Sequence, residues 1–279
     1  MPSIADKRRT FRALHASGCF VIPNPWDVGT ARFLQQLGFP ALATTSSGFA
    51  WPRGFPDGGV PRDVMLTHFR ELVAATDVPV NADFEGGHAD EPREVADNVW
   101  LCVETGVAGL SIEDATGDAA KPLYDLAKAT ERVRAARQAI DDSGAEVLLV
   151  GRAECFLVGR PDLDETIRRL AAYSEAGADC LYAPGIRTRE QIETIVKAVA
   201  PKPVNVLISA ATGLTVADLA ALGVRRISVG GALARTAWGA FMRAAEQIVK
   251  DGKFDAFADA ATHPEINGFF REDIERRGA

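Results

Sequence analysis

Apolar positions along this chain follow two alternating rhythms. Segments with apolar residues three and four apart, the period of a helix with one buried face, give way to short unbroken runs rich in Val, Leu, Ile and Cys, as in strands buried on both faces. A glycine marks several junctions: Leu37-Gly38-Phe39-Pro40-Ala41-Leu42, Thr105-Gly106-Val107-Ala108-Gly109-Leu110, Ala176-Gly177-Ala178-Asp179-Cys180-Leu181 and Leu222-Gly223-Val224-Arg225-Arg226-Ile227. Each reads as a helix closed by a glycine cap that leads directly into a strand. The runs at 19–22, 80–82, 147–150 and 204–207 bring the expected strands to eight. Helical periodicity is clear at 62–75, 92–104, 126–140, 163–176, 188–199 and 232–249, and Pro92 suits the first turn of its helix. Alternation of strand and helix over this length predicts an α/β fold, a (β/α)8 TIM-type barrel with its chemistry at the C-terminal ends of the strands.

Composition adds bounds to this picture. The chain has 279 residues, 47% hydrophobic and 25% charged, enough for a large core. No linker or composition shift divides it, so residues 1–279 read as a single barrel domain. The stretch 251–279, with Phe254, Phe257, Phe269 and Phe270, is too apolar for a free tail. It reads as a C-terminal extension that packs on the barrel or on a neighbouring subunit. A net charge of −7 without a basic face lacks the footprint of a nucleic-acid binder, and no apolar run is long enough to span a bilayer. Cys19, Cys102, Cys155 and Cys180 are widely spaced and no signal peptide is visible, which predicts reduced thiols in a cytoplasm and a small-molecule partner.

The candidate chemistry lies at the strand ends. Alternation along Asn81-Ala82-Asp83-Phe84-Glu85 turns Asn81, Asp83 and Glu85 to one side, and Gly86-Gly87 allow a tight loop beside a ligand. One of Glu113 and Asp114 must face the barrel mouth after the next strand. Arg152 ends the apolar run after that. Carboxylates gathered in this way suit a hard divalent cation, which takes oxygen ligands and keeps several waters. A guanidinium at their rim either neutralises them or clamps a substrate carboxylate. Thr44-Thr45-Ser46-Ser47-Gly48 offers hydroxyls and backbone N–H groups for an oxyanion, or is a plain turn. The long connections 49–61 and 115–124 read as lids. His88 has no second histidine at zinc-ligand spacing, Cys155 has no basic partner, and Gly230-Gly231 either cradles a phosphate or allows close packing. No lysine ends a strand, which disfavours a Schiff-base aldolase.

Taken together, Asn24-Pro25-Trp26-Asp27, Thr45-Ser46-Ser47-Gly48, Asn81-Ala82-Asp83, Ile112-Glu113-Asp114 and Gly151-Arg152-Ala153-Glu154 give the chain a resemblance to the phosphoenolpyruvate mutase and isocitrate lyase superfamily over nearly its whole length. The resemblance implies a barrel whose C-terminal helix is exchanged between subunits in a tetramer or dimer. It implies Mg²⁺ at Asp83 and, partly through water, at Glu113, and Arg152 on a substrate carboxylate or phosphonate. Glu85, on the same side of its strand as Asp83, is the further candidate ligand that would compensate for Asn81. The resemblance also implies that Ser47 and Gly48 bind carboxylate or enolate oxygens, with Thr45 and Ser46 of the same hydroxyl-rich run as further substrate-binding candidates. Asp57 matches the family's carboxylate on the loop after the second strand, and Asn205 joins Phe49, Trp51 and Tyr182 around the pocket. The chain departs from the lyases in lacking their cysteine loop after the fourth strand, where it has Ala115-Thr116-Gly117-Asp118-Ala119-Ala120-Lys121. It departs again in having Asn81 where the family has the first Asp of an Asp-x-Asp pair. The expected activity is a Mg²⁺-dependent lyase releasing a pyruvate enolate from a 2-oxo or 2-hydroxy acid, by C–C cleavage or decarboxylation of an oxaloacetate-like substrate. Phosphonopyruvate hydrolysis or mutation, and a catalytically weak 2-oxo-acid binder, are the alternatives.

Overall fold

The computed structural model describes residues 2–278, which divide into two compact units, 2–231 and 232–278. In chain order the first holds α1 (Ile4–Ala16), β1 (Phe20–Ile22), α2 (Val28–Gln36), β2 (Leu42–Ala43), the short α3 (Ser46–Ala50), α4 (Arg62–Ala75), β3 (Val80–Asp83), α5 (Pro92–Glu104), β4 (Gly109–Glu113), α6 (Leu126–Asp142), β5 (Leu148–Arg152), α7 (Leu163–Glu175), β6 (Cys180–Tyr182), α8 (Arg189–Ala198), β7 (Val204–Leu207), α9 (Val216–Ala221) and β8 (Arg226–Ser228). The second holds α10 (Ala232–Asp251) and α11 (His263–Arg277) with a 3-10 turn at Asp255–Asp259 between them. The C-terminal unit thus begins one helix before residue 251.

The eight strands are parallel in the order β1-β8-β7-β6-β5-β4-β3-β2. At the remaining seam the Ala43 N–H donates to the Pro23 carbonyl at 3.1 Å. This is the (β/α)8 barrel expected from the alternation. Residues of one parity along each strand face outward: Val80, Ala82, Leu110, Ile112 and Leu149 share the outer apolar layer with Phe69, Val99, Ala136 and Leu170 from the helices. Residues of the other parity face inward, where Phe20, Ile22, Ala43, Leu148 and Val150 form the interior. Phe11 of α1, fully buried, joins this inner cluster beside the strand starts and plugs that end of the barrel. Burial of this side chain removes apolar surface from water at the end of the barrel opposite the charged strand ends.

Inward positions change character toward the strand ends. On β5 Leu148 and Val150 precede Arg152; on β4 Gly109 and Ser111 precede Glu113; on β3 Asn81 precedes Asp83. Register sets Asp83 beside Ser111, Glu113 beside Arg152 and Arg152 beside Tyr182, so the charges meet at the mouth.

Candidate active site

Arg152 is the hub. Its Nη1 lies 2.7 Å from Asp83 Oδ1 and 3.0 Å from Glu113 Oε2, and its Nε donates to Glu154 Oε1 at 2.9 Å. The guanidinium carbon stands 5.0 Å from the centre of the Tyr182 ring. Nη2 has no bond among the described residues. Burial works against the Arg152 charge, but Glu113, Glu154 and Asp83 outweigh it and hold the group well above its usual range.

The acids are not balanced in return. Asp57, Asp83, Glu85, Glu113 and Glu154 surround this one guanidinium. Glu85 is pushed up to about 8, first by burial and then by Asp83, Glu113 and Asp57. Glu113 and Glu154 are raised chiefly by burial, with Arg152 pulling the other way. Asp57 stands on an exposed stretch beside Ser46; partial enclosure raises its carboxyl, Ser46 and Arg152 pull the other way, and the charge of Asp83 adds to the rise.

Backbone geometry holds these groups in place. The Asp83 N–H donates to Thr44 Oγ1 at 2.8 Å, and Asp83 Oδ2 accepts the Ser46 N–H at 2.9 Å. The run Thr45 to Gly48 is therefore neither a plain turn nor a free loop but the start of α3. Thr45 caps that helix by accepting the Gly48 N–H at 3.2 Å, so the Gly48 amide is already used. The Ser47 N–H is left without an acceptor among the described residues. Ser47 Oγ lies 3.2 Å from Thr45 Oγ1, and a Cβ at Gly231 would fall 2.7 Å from it. Gly231 thus serves close packing. The Val229 and Gly230 amides both donate to Asn24 Oδ1, at 3.0 and 2.8 Å, which leaves neither for a phosphate.

Two cavities meet at Ser46, Asp57 and Arg152. The outer, about 420 Å³, is lined by Glu85, Glu113, Glu154 and His88. The inner, about 160 Å³, is lined by Asp83, Thr45, Ser47, Tyr182 and Arg226. Asn205 lines neither; fully buried, it accepts from Arg226 Nε at 2.8 Å and donates to Ser228 Oγ at 2.9 Å. Lys121 also lies elsewhere, in a separate hollow with Cys155 and Arg160.

Of the adjacent acids Glu113, which ends β4, and Asp114, which follows it, Glu113 is the one that faces inward. Asp114 faces α7, where its carboxylate accepts the Glu154 N–H at 2.8 Å, Arg169 Nη1 at 2.9 Å and the Tyr173 hydroxyl at 2.5 Å. It fixes the chain just beyond Arg152. A second brace comes from Arg132 on α6, which donates to the carbonyls of Glu113 at 3.0 Å, Ala89 at 2.8 Å and Gly86. It ties the loop bearing Glu85 to the end of β4. Glu85 and His88 in that loop have φ of 50° and 53°, backbone that non-glycine residues adopt only where their surroundings hold them. Sequence reasoning missed Arg132 and Arg226. The available signals were an arginine on the apolar stripe of a helix and one inside an apolar strand. Glu154 was within reach, since alternation places it on the side of Arg152.

The comparisons decide the family. The phosphoenolpyruvate phosphomutase family matches residues 11–249. The chain belongs to this family, and so to the phosphoenolpyruvate mutase and isocitrate lyase superfamily. A crystal structure of a candidate lyase/mutase from Burkholderia cenocepacia J2315 is 49% identical and superposes with a TM-score of 0.92, covering 96% of this chain and 97% of that one. An uncharacterised protein of Mycobacterium tuberculosis is 34% identical over 79% of this chain and 81% of its own length. The oxaloacetate decarboxylase of Rhodopseudomonas palustris is 31% identical over 68% of this chain and 67% of its own. The chain is an enzyme, a lyase of this superfamily.

The donor set suits a hard cation. Every acid at the mouth offers oxygen, and their charge exceeds that of Arg152. Among the described residues no three His, Cys, Asp or Glu side chains converge to cage an ion, because Arg152 Nη1 sits between Asp83 and Glu113. Asp83, Glu85 and Glu113 do not form a ready-made three-carboxylate cage. One or two carboxylates with waters and substrate oxygens is the habit of Mg²⁺. No helix is long and apolar enough to cross a membrane among the described residues.

Proposed function

We propose that this enzyme is a Mg²⁺-dependent lyase that takes a small 2-oxo or 2-hydroxy acid and releases a pyruvate enolate, by C–C cleavage or decarboxylation of an oxaloacetate-like substrate. The observation that carries the reading is the pair of joined cavities in which Asp57, Asp83, Glu85, Glu113 and Glu154, the Arg152 guanidinium and the first turn of α3 face each other. Asp83, Glu113 and Glu85 would hold the cation, which supplies charge neutralisation at the oxygen of C2 when bound. Arg152 Nη2, whose N–H groups are uncommitted among the described residues, is the edge left to donate to a substrate carboxylate. Thr45 shapes α3, Ser46 lines the inner cavity with its N–H on Asp83, and Ser47 lines it with its N–H uncommitted among the described residues. The free Ser47 N–H, fixed before substrate arrives, costs no reorganisation as negative charge develops on oxygen. Asp57, beside Ser46 at the junction of the cavities, would pass a proton to or from the substrate through water.

The test is pyruvate release, in Mg²⁺, from oxaloacetate, methylisocitrate and phosphonopyruvate. Release from one of them, with kcat/KM about 100-fold or more lower in Asp83→Ala, is the expected result. Phosphate or phosphoenolpyruvate appearing from phosphonopyruvate would select the hydrolase or mutase reading. Tight 2-oxo-acid binding without turnover of any of the three would select the binder. The exposed apolar side chains of the second unit lead us to infer a homo-oligomer as well.

A further inference from the structure

A buried cation with no anion stands at the floor of the inner cavity. Arg226 on β8 is 3% exposed. Its Nε donates to Asn205 Oδ1 at 2.8 Å and its Nη1 to Asn81 Oδ1 at 3.3 Å. Both acceptors are neutral amides, and no carboxylate among the described residues pairs with it. A guanidinium has five N–H donors, and a charge taken out of water needs a partner. Arg226 lines the same 160 Å³ space as Ser46, Ser47, Asp83 and Arg152, with Ser111, Ser228 and Tyr182 beside it. That volume equals about five waters, enough for a small acid.

We propose that Arg226 is a specificity determinant, the subsite for the distal carboxylate of a dicarboxylic substrate whose C1–C2 end is held at the mouth. The proposal rests on the 2-oxo or 2-hydroxy acid reading above and narrows it to dicarboxylates. It also favours C–C cleavage over decarboxylation. When the C2–C3 bond of a 2-hydroxy acid breaks, the hydroxyl proton passes through water to Asp57 and the oxygen electrons close the C2=O bond. The C2–C3 pair moves onto C3 and into the carboxylate that Arg226 holds. The C1–C2 fragment therefore leaves as a 2-oxo acid and the enolate forms on the distal fragment, whose C3 takes the proton back from Asp57 through water. Loss of that carboxylate as neutral CO₂ would instead forfeit the ion pair.

Lactate and malate differ at C3 by one carboxylate and so probe the subsite directly. Calorimetric titration of the Mg²⁺-loaded protein should show malate binding about 100-fold more tightly than lactate, the scale of a buried charge pair. In Arg226→Met the preference should vanish while lactate binding stays, which also shows that the variant is folded. Arg226→Lys should keep part of it. Asn81→Asp, which supplies Arg226 with an internal carboxylate, should abolish the preference without touching the arginine and serves if Arg226→Met does not fold. A malate preference that survives in both Arg226→Met and Asn81→Asp, or a wild type that binds both acids equally, overturns the subsite and leaves the proposed function standing. A wild type that binds neither acid overturns both.

Discussion

Glu85 carries the least compensated charge at the mouth. Arg152 reaches Asp83, Glu113 and Glu154, whereas Glu85 faces carboxylates from a loop held at positive φ. Its proton is held more tightly in the fold, at about 8, than in the unfolded chain. The corresponding stability is present in full below the unfolded value and is lost as pH rises through the folded one. The metal-free protein should therefore lose thermal stability between about pH 5 and pH 8. Glu85→Gln should flatten that slope in scanning calorimetry. Mg²⁺ should restore most stability at the alkaline end, since a cation replaces the proton. An identical slope in wild type and Glu85→Gln would place the linkage on another group. Alternation alone put Asp83 and Arg152 on the inner face, because side chains on a strand point two ways in turn. It had no means of naming Arg226, whose significance is the absence of an acid that only folding could have brought to it.

Elements acquire their positions from contacts between distant segments. Gly109 opens β4 on the inner face, where a Cβ would lie 2.6 Å from the Phe11 ring and 2.7 Å from Asn81 Oδ1. Its lack of a side chain lets the α1 plug and the floor of the inner cavity share one small volume. Gly109→Ala should cost about 1–3 kcal/mol through overpacking. Urea unfolding would show this as a lower midpoint at unchanged slope, and an unmoved midpoint would mean that α1 shifts freely. The plug itself was not legible in the sequence, since α1 precedes the strand-helix repeat. The first turn after β2 was legible only in part: Thr45 is a good N-cap residue, but the run after it is short and contains a glycine, so its helical state depends on Asp83 accepting the Ser46 N–H.

At the scale of the whole molecule, the second unit exposes Phe241 at 61%, Val249 at 86% and Phe254 at 61%. Side chains of this size on one short segment are what a subunit contact covers. We expect a dimer or tetramer by sedimentation, and Phe241→Glu with Phe254→Glu to shift it toward monomer. A monomeric wild type would remove the oligomer from the proposal. By itself the sequence determined the barrel, because periods of 3.6 and 2 and the glycine caps are local properties of the chain. It also determined that acids and an arginine end successive strands. The tertiary structure decided the rest: that Glu113 and not Asp114 faces inward, that Arg152 separates Asp83 from Glu113, that Asn205 supports Arg226 beneath the cavity, and that Arg226 pairs with no carboxylate among the described residues. A strand's pattern gives it two faces without saying which is inside. Neighbours across strands follow from register and closure, which no local signal contains.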